Sequence, residues 1–178
     1  MGRRWPTPAA ALLAGAVALL VVAAASAWAR PSAAPSGQRS FAGRVVGVSD
    51  GDTLTVLVGG REQVRVRLAW IDAPEAGQPY GARARAELSA LAFGEDVAVR
   101  SVDTDRYGRA VGEVSARGGR DAGEEMLRGG AAWVYRRYSS DRALLALEAE
   151  ARVSRRGLWA LPEAERAPPW EWRAARHR

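Results

Sequence analysis

Three short stretches of this 178-residue chain, far apart in sequence, carry side chains suited to metal-assisted cleavage of a phosphodiester. Asp50-Gly51-Asp52-Thr53 and Asp72-Ala73-Pro74-Glu75 supply carboxylates, while Arg67 and Asp105-Arg106-Tyr107-Gly108-Arg109 supply guanidinium groups. Carboxylates from two stretches, Asp52 and Asp72, can hold a hard cation, a further carboxylate can handle a water, and a planar guanidinium can grip phosphate oxygens in pairs. Each stretch also has an ordinary reading, since Asp-Gly and Tyr-Gly are turn formers and Arg65 with Arg67 reads as a solvated strand face. Only as a set do they compose a site.

The rest of the inventory narrows the chemistry. An all-oxygen ligand set suits Ca²⁺ or, with stricter geometry, Mg²⁺, and does not suit Zn²⁺. The chain has no cysteine, and its single histidine, His177, stands in the tail. Thiolate ligands, disulfides and a histidine general base are therefore excluded. Every basic side chain is an arginine, and the net charge of +6 fits a polyanionic partner. Arginine with alanine richness also follows from GC-rich coding, so placement matters more than the total. Arg106, Tyr107 and Tyr138 are candidates for holding a neighbouring phosphate and stacking a base.

Apolar runs at 41–48 and 53–58 flank Asp-Gly, the strongest short hairpin signal. Val64, Val66 and Leu68 alternate with polar neighbours as a third strand. Residues 80–93 have helical periodicity ended by Gly94, and two further strands follow at 97–102 and 110–114. Helices are predicted at 124–127 and at 141–153, the latter capped by Asp141. Five short strands with a helix after the third and helices at the end predict an α+β domain, a five-stranded OB-type β-barrel with about three helices.

The flanks divide the chain. Residues 1–29 carry Arg3 and Arg4, then a long uncharged Ala/Leu/Val run ending in Ala27-Trp28-Ala29, the pattern of an export signal or of a retained N-terminal anchor. Residues 30–40 read as a Pro/Ser-rich linker, 41–161 as the folded domain, and 162–178 as a basic tail whose Trp170 and Trp172 have no assigned role. The expected protein is exported, monomeric, and in contact with a membrane only if the N-terminal segment is retained.

The motifs Val48-Ser49-Asp50-Gly51-Asp52-Thr53, the run from Val66 to Glu75, and Thr104-Asp105-Arg106-Tyr107-Gly108-Arg109 resemble, in order and spacing, those of the thermonuclease or staphylococcal nuclease-like family. The likeness extends through the run from Gly130 to Tyr135 and through Gly157-Leu158-Trp159, covering the whole predicted domain. It implies an OB-fold and a calcium-dependent endonuclease acting on DNA and RNA with little sugar specificity and leaving 3′-phosphate ends. Carried over by position, Asp52, Asp72 and the Ala73 carbonyl would bind Ca²⁺, and Arg67, Glu75 and Arg109 would be the catalytic set. Ala73 stands where the family's best-known member has threonine, which a backbone ligand tolerates, and the loop after Glu75 is shorter here. Against an enzyme stands a non-catalytic OB-fold module binding nucleic acid or another polyanion at the cell surface, membrane-tethered in one version. The presence of all five charged site residues argues for the enzyme.

Overall fold

The computed structural model describes residues 39–176. Residues 1–29, read above as an export signal or N-terminal anchor, most of the linker and His177 lie outside the described residues. Among the described residues no helix is long and apolar enough to cross a membrane.

Five strands close into a barrel in the order β1 (Ser40–Val48), β2 (Thr53–Val58), β3 (Glu62–Leu68), β6 (Ala110–Ser115), β5 (Asp96–Thr104), with β5 pairing back to β1. Every seam is antiparallel except β3 with β6, where Arg67 lies opposite Val111. This mixed closed barrel with its helices is the predicted OB-type α+β fold. Register shifts between Val45 and Gly47 and between Ser101 and Asp103 supply the bends that closure of so small a barrel demands.

The barrel interior is filled by alternating inward side chains, among them Val45, Leu54, Val56, Val66, Leu68 and Val99, all essentially inaccessible. Each such aliphatic side chain contributes ~1.5–3 kcal/mol of burial. Helix α1 (Gly81–Ala92) closes the barrel through Ala84, Leu88 and Ala92. Helix α2 (Ala122–Gly129) starts at Asp121, whose carboxylate accepts from the Glu124 amide, and stops at Gly130 in the left-handed conformation. Helix α3 (Arg142–Val153) starts, as its sequence predicts, at Asp141, which caps the Ala143 amide at 2.7 Å.

Two features lie beyond what the sequence pattern outlines. The third strand does not run on to Asp72: it ends at Leu68, Trp70 turns the chain with φ 68, and Ile71–Asp72 forms a separate strand β4 paired with β7 (Trp133–Val134). The site carboxylates are thus not carried on adjacent barrel strands. Asp72 belongs to a two-stranded ribbon beside the barrel. The residues after Leu161 do not trail away, because helix α4 (Pro169–Arg176) packs onto the domain, with Trp170 against a second apolar cluster of Trp133, Ala151, Leu158 and Trp159.

Candidate active site

The turn between β1 and β2 is built to push Asp52 inward. The Asp50 carboxylate accepts from the Asp52 amide at 3.0 Å, closing a tight turn. A Cβ on Gly51 would come within 2.7 Å of the methyl groups of both Ala73 and Ala84, so only glycine lets this turn press against the end of β4 and the start of α1. On the other side, the loop after Glu75 is drawn tight by Gln78, which is buried: its side-chain oxygen accepts from the Glu75 amide at 3.1 Å. Gly81 then passes so close to the Glu75 carbonyl that any Cβ would overlap it.

These constraints gather the acidic groups. One oxygen of Asp52 accepts from the Ala73 amide at 3.2 Å and from Arg67 Nη2 at 3.1 Å; the other accepts from the Thr53 hydroxyl at 2.9 Å. The same Arg67 Nη2 donates to Asp72 Oδ1 at 2.7 Å. Arg67 Nη1 donates to the Ile71 carbonyl at 3.2 Å, and its guanidinium lies over the Tyr135 ring at 5.7 Å. Asp72 is wholly buried, and Glu75, half-buried, borders it. Carboxylates from separate segments therefore converge on a single positive nitrogen.

Arg109 reaches the same centre through one hydroxyl. Its Nη1 donates to Thr53 Oγ1 at 3.2 Å, and that hydroxyl donates on to Asp52. Its Nε is held by Asp105 at 2.7 Å. Asp105 shapes the whole β5–β6 turn, accepting also from the Tyr107 and Arg109 amides. Tyr107, two-thirds exposed, has the guanidinium groups of Arg106 and Arg109 4.8 and 5.5 Å from its ring centre. Tyr138, also exposed, meets Tyr135 edge-on at 4.8 Å. The structure thus brings Asp52, Arg67, Asp72, Ala73 and Glu75 into one cluster, links Arg109 through Thr53, and sets Arg106, Tyr107 and Tyr138 at its margins.

Burial leaves its mark on the acids. Asp50 is pushed up to about 6 by burial and by the neighbouring Asp52 charge. Burial raises Asp72 as well, partly offset by hydrogen bonds from an arginine of α4. Burial works against the Arg67 charge, but Asp52 and Asp72 outweigh it and hold the guanidinium protonated. Asp105 shifts the other way: burial pushes it up, and the hydrogen bonds from Arg109 and Tyr107 bring it below its ordinary value.

Among the described residues no three acidic or histidine side chains already stand at metal-holding spacing. The donor set nonetheless fits a hard cation. Asp52 and Asp72 both contact a positive nitrogen within 3.1 Å, and every donor there is oxygen.

The alternation and turn signals did not reveal four participants. Thr53 reads in sequence as a strand former, Gln78 as loop filler and Tyr135 as core. The fourth is Arg173 on α4, whose Nη2 donates to Asp72 Oδ2 at 2.7 Å and whose Nη1 donates to Glu75 Oε1 at 2.6 Å. Its signal was the tryptophans around it. Trp170 and Trp172 mark a packed segment, and Trp170 stacks flat on Tyr135, with centroids 5.6 Å apart and planes 3° from parallel.

Comparison with known proteins accords with this geometry. Residues 65–161 match the family described as staphylococcal nuclease homologue. The chain is 47% identical over 131 residues to an uncharacterized endonuclease of Escherichia coli O157:H7, covering 74% of this chain and 84% of that one. It is 42% identical over 176 residues to a protein of Shigella flexneri named micrococcal nuclease, covering 93% of this chain and 94% of the other. A staphylococcal-like nuclease, CAN1 of Arabidopsis thaliana, is 42% identical over 112 residues, 63% of this chain and 34% of the plant protein. With its mixed barrel, its acidic turn and its paired arginines in this arrangement, the chain belongs to the staphylococcal nuclease homologue family.

Proposed function

We propose that this protein is a calcium-dependent endonuclease that hydrolyses phosphodiester bonds of DNA and RNA with little sugar specificity and leaves 3′-phosphate ends. The observation that carries the reading is the convergence of Asp52 and Asp72 on one guanidinium nitrogen of Arg67, with Arg109 joined through Thr53. Membership of a family whose relatives bear nuclease names supports it.

In this reading Asp52, Asp72 and the Ala73 carbonyl hold the ion. Bound there, Ca²⁺ would supply Lewis-acid polarisation of a phosphoryl oxygen and a place for water to gather. Arg67 and Arg109, fixed on β3 and in the turn just before β6, neutralise the charge that grows on the phosphoryl oxygens as phosphorus becomes five-coordinate. Their planar forks meet two oxygens at once. Glu75, the most accessible of these carboxylates, orients the attacking water and accepts its proton. The bond to the 5′ oxygen breaks, that oxygen takes a proton from solvent water and leaves as a hydroxyl, and phosphate stays on the 3′ side. Tyr107 and Tyr138 offer exposed rings to flanking bases, and Arg106 a charge to the next phosphate, a grip that tolerates any sequence.

We place the protein outside the cytoplasm, exported through residues 1–29 and acting as a monomer. Mass spectrometry of secreted material, showing whether the N-terminus begins near Arg30, checks the export. The function is tested by incubating the purified chain with single-stranded DNA and RNA, with Ca²⁺ and then with chelator. Cleavage only with the ion, yielding 3′-phosphate termini on both polymers, is the expected result. Cleavage that survives chelation refutes the metal mechanism, and salt-sensitive binding without cleavage establishes a non-catalytic OB-fold module.

A further inference from the structure

The arginine of α4 holds the carboxylates that the cation would need. Arg173 forms a fork on Asp72, with Nη2 to Oδ2 at 2.7 Å and Nη1 to Oδ1 at 3.3 Å, and the same Nη1 reaches Glu75 at 2.6 Å. Asp72 Oδ1 also accepts from Arg67, so hydrogen bonds from two guanidinium groups take up both of its oxygens. Asp72 has no solvent-exposed surface through which a further partner could be added. A divalent ion close enough to bind Asp72 would lie within a few ångströms of the Arg173 charge in a poorly screened setting. The two cations exclude one another.

Besides the Arg173 ion pairs, α4 is held by contacts on both sides of its first turn. Gln78 Nε2 donates to the Ala167 carbonyl at 2.6 Å just before the helix, Trp170 stacks on Tyr135 and meets Trp133 edge-on at 6.1 Å, and Pro169 is buried beneath. At eight residues the helix is too short to persist on its own, so its folding depends on being docked. Gln78 ties this docking to the loop that carries Glu75, since its other end binds the Glu75 amide.

We propose that α4 is an intrasteric latch on the candidate cation site: Arg173 occupies Asp72 and Glu75 in place of the divalent ion, and ion binding requires the guanidinium to withdraw. This rests on the reading of Asp52 and Asp72 as ion ligands. Linkage then makes docking of α4 and binding of the ion oppose each other by the same factor in both directions.

The test is calorimetric titration of Ca²⁺ into the full chain without nucleic acid, comparing the parent with Arg173→Met, Arg173→Lys and Arg176→Met. Arg176 lies on the same helix over the Trp172 ring at 5.5 Å and serves as the control for helix charge. Arg173→Met is expected to bind Ca²⁺ about tenfold or more tightly. Arg173→Lys, whose single ammonium cannot span Asp72 and Glu75, is expected to fall between. Arg176→Met should match the parent within about twofold. In the parent and in Arg176→Met, Ca²⁺ should also shift the tryptophan fluorescence as Trp170 leaves Tyr135. Equal or weaker binding by Arg173→Met overturns the latch while leaving the ion site standing, and Arg173→Lys decides if the Met variant does not fold. No Ca²⁺ binding by any variant overturns both the latch and the ion-dependent function.

Discussion

Removing the Glu148 carboxylate should loosen the ribbon that carries Asp72, and the size of the effect follows from what that carboxylate holds. Glu148 lies on α3 and is 2% exposed. It accepts from the Val134 amide at 2.7 Å, from both Nη atoms of Arg136 at 3.0 and 3.1 Å, and from Arg152 at 3.2 Å. Val134 is itself buried on β7, the strand that pairs Trp133 with Asp72. Glu148→Ala leaves that amide buried without an acceptor, at ~1–3 kcal/mol. It also releases two half-exposed arginines whose pairs are worth at most ~1 kcal/mol each. A total near ~3 kcal/mol lowers the melting temperature of a domain this size by about 10 °C. Glu148→Gln keeps an oxygen for Val134 and should lower it by only about 3 °C, most of the difference being the buried amide. Thermal unfolding followed by circular dichroism at pH 7 measures both. A melting point for Glu148→Ala within about 2 °C of the parent, or equal losses in the two variants, would refute the assignment of the orphaned amide as the dominant cost.

Two further outcomes are expected. Arg67→Lys should reduce kcat by about 10²–10³-fold while changing KM less than about tenfold, because the planar fork that meets two phosphoryl oxygens in the transition state is replaced by a single point charge; steady-state cleavage kinetics would expose equal losses in both. Asp105 sits below its ordinary 3.8, so its stabilisation is present above that value and disappears as pH falls through the lower folded value; Asp105→Asn should unfold about 1 kcal/mol more easily at pH 7, and the gap should narrow steadily as pH falls below 3.8 in urea titrations.

What could be read from residues alone follows the range of the interactions. Strand alternation and helix caps are local, so β1, β2, β3 and the Asp141 cap were legible from neighbouring residues. The β4–β7 ribbon has two residues on each side, too few to show a period, and the reversal at Trp70 interrupts an apolar stretch that otherwise reads as continuous strand. Among site residues, Asp52, Arg67, Asp72, Glu75 and Arg109 were recognisable by type because few other residues could share a cation and a phosphate. Arg173 lies 101 residues from Asp72, in a stretch where arginine is common. The flanking Trp170 and Trp172 mark a packed segment, but only the stacking of Trp170 on Tyr135 shows where that segment docks. Thr53 was hidden by its dual nature, since a threonine needed for its hydroxyl looks the same as one needed for its β-branch.

The single parallel seam between β3 and β6 has a consequence for the order in which the chain becomes competent. Arg67 reaches Val111 only after α1 and β5 have been made, and Asp72 gains its pairing partner later still, when Trp133 has emerged. A chain folding as it is synthesised can form the β1–β2–β3 meander early, because each of those pairings is local. That meander already carries Asp52 and Arg67, yet without β6 to brace one and β7 to place Asp72 it holds no assembled centre. Competence therefore arrives late, and a partly made or partly threaded chain carries the site residues without the site.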